Sequence, residues 1–229
     1  MLPAFLHAIS DWPVRDIVIV DGGSQDQTPT ILRAWGTDAT IPAKRYLIAK
    51  KGRGSQMNAG AQIATGDLLL FLHSDTMLPP LAEAGPPPVA WFEEISEKLR
   101  DPGVVGGAFR LKIDSPSFFL KIVEGMANLR STRFGLPYGD QGIFVRSDIF
   151  RKMGGYRDWP LMEDVAFIQS LKQFGKIVLL KAEMTTSARR WERGTATSAR
   201  GIVISLRNII LLFLYFIGVS PTRLARWYN

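Results

Sequence analysis

Apolar residues over the first three quarters of the chain fall in short blocks, separated by glycine, proline and acidic turns. Residues 17–20 are β-branched throughout and read as a buried parallel strand, ended by the turn Asp21-Gly22-Gly23-Ser24. Thr28-Pro29 offers an N-cap and a first-position proline, which predicts a helix running towards Trp35. A strand is predicted at 46–49 and a helix over 53–64. A continuous apolar strand over 68–72 then ends at His73-Ser74-Asp75. After Pro86-Pro87-Pro88 a helix over 89–100 stops at Asp101-Pro102-Gly103. Further strands are predicted over 104–113, with Gly106-Gly107 as a close-approach point, and at 143–145 and 177–180. Further helices are predicted over 118–129 and 163–174, the second closed by Gly175. Strands alternating with helices predict an α/β fold built on a mostly parallel central sheet.

The last quarter has a different texture. Residues 202–220 are strongly apolar, but the run without a charged or strongly polar residue, 209–219, is only 11 residues long. A spanning helix needs about 20, and Arg207 and Asn208 interrupt the longer version. The segment reads as a helix lying on a membrane surface or docked on the core. From Ala188 onward there are seven arginines and one acid, so this tail holds +6 of the chain's net +7. A basic tail on a near-neutral body points to an anionic partner, and its leucines, isoleucines and phenylalanines favour a membrane surface over nucleic acid. The expected division is therefore a main α/β domain over 1–195 and a basic, apolar surface helix over 196–229. Residues 1–10 have no basic n-region and no long apolar run, so they do not read as a secretory signal. The chain has no cysteine, which excludes disulfides and thiolate metal sites and leaves oxygen or imidazole ligands for any metal.

Ligand sites of parallel sheets lie at the carboxyl ends of the strands, and two acidic turns stand at such ends. Asp21 reads either as the acid of a tight turn or as a ligand for a ribose hydroxyl. Asp75 reads either as a turn acid or as the holder of a divalent cation completed by water and phosphates. His73, two positions before Asp75, points to the same side of its strand. Glu163-Asp164 fits the first turn of a helix and equally an acid–base pair. No Gly-x-Gly-x-x-Gly follows a strand and no Walker loop is present, which argues against dinucleotide binding and ATP cleavage.

These motifs together carry a resemblance. Val20-Asp21-Gly22-Gly23-Ser24, followed by Asp26 and Thr28, resembles the nucleotide-binding turn of family 2 glycosyltransferases. Leu72-His73-Ser74-Asp75-Thr76 resembles their metal-binding Asp-x-Asp motif, with His73 in place of the first acid. Lys51-Gly52-Arg53-Gly54, leading into Gln56-Met57-Asn58-Ala59-Gly60, is similar to the helix start beside the nucleotide. Met162-Glu163-Asp164-Val165 resembles the pair containing the catalytic base, and Arg189-Arg190-Trp191 resembles the Arg-Trp element late in the catalytic domain. The wording is similar to a bacterial subgroup that includes staphyloxanthin-type carotenoid-acid glycosyltransferases.

The resemblance implies a GT-A fold and an inverting transfer from a nucleotide-diphosphate sugar to a hydroxyl or carboxyl acceptor, of a lipid or carotenoid kind. Donor contacts are implied for Asp21, Gly22, Gly23, Ser24, Asp26, Arg53, His73 and Ser74. Asp75 is implied to hold Mn²⁺ or Mg²⁺, and Asp164, with Glu163 beside it, to take the acceptor's proton. Gly139, Asp140, Gln141, Arg189, Arg190 and Trp191 are implied to face the acceptor or the diphosphate. The implied location is the cytoplasmic face of the cell membrane, as a peripheral protein. Family members normally begin with a strand and a Pro-x-x-Asn-Glu-type loop, and residues 2–9 read as the tail of the helix that follows these. The expectation is a chain lacking the first strand of its sheet, with roughly 20 to 30 residues, including a β-branched strand, encoded upstream. A non-catalytic, membrane-associated remnant that still binds a sugar nucleotide is the alternative.

Overall fold

The structure is a computed structural model that describes residues 2–10, 12–36, 43–74, 76–77, 88–188 and 197–228. The strands form two sheets. In the smaller, β1 (Asp16–Asp21) runs parallel to β2 (Ala43–Ile48). In the larger, β3 (Leu68–Phe71) lies at one edge and β4 (Thr76–Met77) at the other. Between them are β6 (Ile143–Arg146), β5 (Val104–Asp114) and β7 (Lys176–Ser187), in that order from β3. The expected α/β fold is present. Its two longest ladders, β1–β2 and β5–β7, are parallel, while β3–β6, β5–β6 and β4–β7 are short antiparallel pairs. The single expected sheet is divided, because β1 and β3 are not bonded to each other.

β3, the first half of β5 and the body of β6 are apolar without alternation because both faces of the larger sheet are covered there. Ala108, Ile143 and Val145 face one core with Phe167, Ile168 and Leu171 of α7 (Glu163–Leu171). Their neighbours Phe109 and Phe144 face the other core with Trp91 and Ile95 of α4 (Pro88–Lys98). Phe109 and Phe144 are completely buried, and each such ring stabilises the fold by roughly 1.5–3 kcal/mol. Gly107 is required between the layers, since a Cβ there would stand 2.5 Å from Phe144 Cζ. That second core also holds α1 (Leu2–Ile9) through Leu6 and Ile9, and α2 (Thr28–Gly36) through Leu32. On the other side of β1 lies α3 (Arg53–Ile63), close enough that a Cβ on Gly60 would be 3.1 Å from Val20 Cγ2.

The remaining helices are α5 (Phe118–Phe134), α6 (Ser147–Lys152), α8 (Thr197–Phe216) and α9 (Pro221–Tyr228). The C-terminal pair is docked on the core: Leu211 of α8 and Leu224 of α9 are buried against Met162 and Val165 at the start of α7. The outer side of α8 leaves Val203, Leu206, Ile210 and Phe213 exposed, as is Ile217 in the turn that follows. Of the two readings of residues 202–220, the core-docked one holds for the face of α8 that carries Leu211. Among the described residues no helix is long and apolar enough to cross a membrane.

Candidate active site

A pocket of about 130 Å³ opens where the carboxyl end of β3, the amino end of α7 and the two C-terminal helices meet. His73, Arg53, Asp140, Glu163 and Asp164, all named from the sequence, line it. Tyr138, Thr186, Ser187, Asn208 and Tyr228 line it too.

The chain enters α7 through Met162, whose φ of 64° is the only positive value outside glycine among the described residues. Holding a bulky residue in the left-handed region costs on the order of 1 kcal/mol. Burial of its side chain beside Val165, Leu211 and Leu224 offsets this. The sharp turn leaves Glu163 and Asp164 on the first turn of α7, where unpaired N–H groups favour negative charge. Glu163 is only 4 % exposed. Burial, then the neighbouring Asp164, pushes its carboxyl up from 4.5 to about 7, and Arg53, with Nη1 3.8 Å from Oε1, offsets part of this. Asp164 is held differently. Its Oδ2 accepts the backbone N–H of Gly139 at 3.0 Å and its Oδ1 that of Val165 at 2.8 Å. Those bonds fix the direction in which the carboxylate faces the pocket.

Gly139 opens a 3₁₀ turn, Gly139–Gln141. A Cβ here would lie 2.7 Å from His73 Nε2 and 3.7 Å from Asp164 Oδ2, so only glycine fits between the imidazole and the carboxylate. Asp140 reaches the pocket. The role expected of Gln141 is corrected: it is completely buried and does not line the pocket. Its Oε1 accepts from Ser131 Oγ at 2.9 Å and from the Tyr138 N–H at 3.1 Å, and its Nε2 donates to the Phe109 carbonyl at 3.1 Å. Gln141 therefore pins the turn to β5 and α5. Tyr138 lies under the Arg130 guanidinium, 3.4 Å from ring centre to Cζ, and burial raises its phenol above the usual range.

The turn at the end of β1, expected from the sequence to contact a donor, is built as a closed loop. Asp21, 7 % exposed, accepts the Ser24 N–H at 3.0 Å and its hydroxyl at 2.6 Å, so its carboxylate braces Gly22 and Gly23. Gly23 has φ 90°, and a Cβ on Gly22 would press on Gln56 Oε1 at 3.0 Å. Asp26 is exposed and accepts the Thr28 N–H at 2.9 Å, which lowers its pKa. It thus bonds the first N–H of α2, where Thr28 was expected to be the cap, and among the described residues it lines neither this pocket nor the larger cavity beside it. Arg53 sits at the first position of α3. The loop 155–158 clamps this helix end: Asn58 exchanges two 2.8 Å bonds with the backbone of Tyr156, and Asp158 takes Lys50 at 2.5 Å and Ser55 at 2.6 Å. Ser74 and His73 also line the larger cavity that begins beside Arg53. Asp75, Arg189, Arg190 and Trp191 lie outside the described residues.

The model of the family described as "Glycosyl transferase family 2" matches residues 1–115. The chain belongs to glycosyl transferase family 2. No curated protein sequence matches it. Among solved structures, this family 2 chain is similar to a mannosyltransferase from Pyrobaculum calidifontis in complex with GDP-Man and Mn²⁺. The TM-score is 0.65 at 15 % identity, over 96 % of this chain and 61 % of that one. It is also similar to the glucosyl-3-phosphoglycerate synthase of Mycobacterium tuberculosis in complex with Mn²⁺, UDP and glucosyl-3-phosphoglycerate. There the TM-score is 0.59 at 14 % identity, over 96 % and 76 %. A third similar structure is residues 1–349 of S. aureus TarS, with TM-score 0.55 at 14 % identity, over 96 % and 63 %. The family 2 chain thus spans about three fifths of the mannosyltransferase it matches. These likenesses establish the GT-A glycosyltransferase fold.

Proposed function

We propose that this protein is an inverting glycosyltransferase that moves a sugar from a nucleoside-diphosphate sugar to an acceptor hydroxyl or carboxyl. The observation that carries the reading is Asp164, oriented by the Gly139 N–H into a pocket shared with His73 and Arg53. The acceptor oxygen attacks the anomeric carbon as its proton passes to Asp164 Oδ, and the nucleoside diphosphate leaves with the electrons of the broken bond. Arg53 and the free N–H groups opening α3 stand where the departing negative charge collects. Glu163, by ionising only near neutrality, keeps a second full charge away from Asp164.

A divalent ion fits the chemistry of this place. A site with few side-chain ligands, completed by water and phosphate oxygens, is the usual way in which Mg²⁺ is held beside a nucleotide. His73, just past β3, and Asp75, two residues further along the sequence, are the side chains that would hold it, and the ion would neutralise the leaving diphosphate. Neighbours of this fold bind GDP-Man or UDP with Mn²⁺, so those two nucleotides are the donors to try first. Donor hydrolysis and transfer with Mn²⁺ or chelator test the reading. Asp164→Asn should keep donor affinity and lower turnover by roughly 10²- to 10⁴-fold. Donor binding without turnover in the unaltered protein would support the non-catalytic alternative.

The same reading includes a peripheral position on the cytoplasmic face of the cell membrane and a lipid-like acceptor, such as a carotenoid acid. The exposed apolar stripe of α8, the parallel stripe Phe118, Ile122, Met126 and Leu129 on α5, and the exposed Arg223 and Arg226 support it. Sedimentation with anionic vesicles, and its loss in Phe213→Asp, would test it.

A further inference from the structure

Three asparagines are among the described residues, and two of them are tied to backbone. Asn58 exchanges two bonds with Tyr156, and Asn128 two with Leu111. Asn208 is the exception: among the described residues its amide has no hydrogen-bond partner. It stands on the side of α8 that faces the protein. Leu211 and Tyr215, three and seven positions on, share this face. Leu211 is buried against Met162 and Val165, and Tyr215 Oη donates to Gln169 Oε1 of α7 at 2.8 Å. One turn before them, Asn208 lines the pocket that holds Asp164. Asparagine is a poor helix former, and here it makes no structural bond that accounts for it.

Thr186 is the second such group. Its backbone belongs to the ladders with β4 and β5. It is 7 % exposed and lines the same pocket, and its hydroxyl has no partner among the described residues. Buried polar groups are hydrogen-bonded as a rule, so two neutral, unpartnered groups in one small pocket call for hydrogen-bonding atoms on a ligand. Charge then selects the kind. Asp140, Glu163 and Asp164 line this pocket, and Arg53 is paired with Glu163 at 3.8 Å. A carboxylate brought up to Asp164 meets like charge, at a cost that grows as water leaves the pocket. It also arrives without a proton, so an oriented base gives it nothing, whereas a hydroxyl has a proton to give.

We infer that Asn208 and Thr186 are specificity-determining residues that hold a second hydroxyl of the acceptor while the first faces Asp164. The ligand class is a neutral compound with two adjacent hydroxyls, such as a sugar or a glycerol-type head. A hydroxyl both donates and accepts, and so do the Asn208 amide and Thr186 Oγ1, so one hydroxyl satisfies both. The inference rests on the glycosyltransferase reading and narrows it. Of the two acceptor groups named there it selects the hydroxyl, and it sets aside an acid such as a carotenoid acid. A membrane lipid with a polyol head keeps the rest of that reading.

The test is read on the full chain without donor. The probes cis-cyclohexane-1,2-diol, cyclohexanol and cyclohexanecarboxylate share one ring and differ only in the groups at issue. In nitrogen-15 NMR spectra the diol should move the Asn208 side-chain amide signals, which are identified by their absence in Asn208→Leu. The diol should bind roughly tenfold more tightly than either analogue. Asn208→Leu and Thr186→Val keep the size of each side chain and should each weaken the diol by roughly tenfold in ligand-observed NMR, with the thermal transition retained. Octyl β-glucoside binding more tightly than methyl β-glucoside assigns the polyol to a lipid head, and equal binding assigns it to a free polyol. Equal movement of the Asn208 signals by diol and cyclohexanol would overturn the inference. So would a carboxylate that binds as tightly as the diol, signals that no probe moves, or undiminished diol binding in both variants. The glycosyltransferase reading fails separately, if neither nucleotide named for it binds.

Discussion

Replacing Glu163 with glutamine separates the charge of this residue from its shape. Its carboxyl ionises at about 7 in the folded protein against 4.5 for an ordinary glutamate. At 1.36 kcal/mol per tenfold, the buried charge is worth roughly 3 kcal/mol. Between those values the folded chain binds more protons than the unfolded one, so stability falls as pH rises. The contribution of Glu163 is complete below about 4.5 and is lost as pH climbs through 7. Glutamine never ionises, so Glu163→Gln should gain on the unaltered protein by roughly 2 kcal/mol between pH 5 and pH 8. In a domain of this size each kcal/mol moves the melting temperature by about 2–4 °C. Urea midpoints or melting temperatures of both proteins, recorded across that range, measure the gap, and titrations remote from Glu163 and Asp164 cancel because both proteins share them. A gap that stays constant from pH 5 to pH 8 would refute the reasoning.

Asn58→Ala removes both bonds to the Tyr156 backbone and leaves an N–H and a carbonyl without partners. Denaturant unfolding should show a loss of roughly 2–4 kcal/mol. Tyr156→Phe removes a completely buried hydroxyl that has no partner among the described residues. It should leave stability unchanged or raise it by about 1 kcal/mol, with the stacking on Phe167 at 3.9 Å retained. Gly139→Ala forces the His73 ring away, at a cost of about 1–3 kcal/mol. A displaced His73 imidazole signal in NMR spectra would report the movement.

The elements that were legible in the sequence are those whose residues speak for themselves. The strand at 17–20 is β-branched throughout, those at 68–72 and 104–109 are apolar on successive positions because both faces are covered, and Glu163-Asp164 opens α7 as expected. β7 runs on to Ser187, beyond the expected 177–180. Its second half alternates exposed Lys181 and Glu183 with buried Leu180 and Met184, a period-two signal that a search for apolar runs passes over. α9 was signalled by Ser220-Pro221, whose serine carbonyl accepts the Leu224 N–H at 3.0 Å. Gln141 could not be placed, because its partners Phe109 and Ser131 come from distant parts of the chain and one polar residue in a loop carries no direction. α8 was ambiguous for a physical reason: a helix apolar on its docked and outer faces has no periodicity to separate them.

The walls of the pocket have separate origins along the chain. The acids sit on α7, locked by Gly139 and Met162, whereas Asn208, Leu211 and Tyr228 belong to α8 and α9. A change at Asn208 or Tyr228 alters the room available without touching the bonds that aim Asp164. Duplicated copies of this gene are therefore free to diverge in residues 197–228 while the placement of Glu163 and Asp164 stays fixed, and the C-terminal helices are where differences in what the pocket admits should be sought among its descendants.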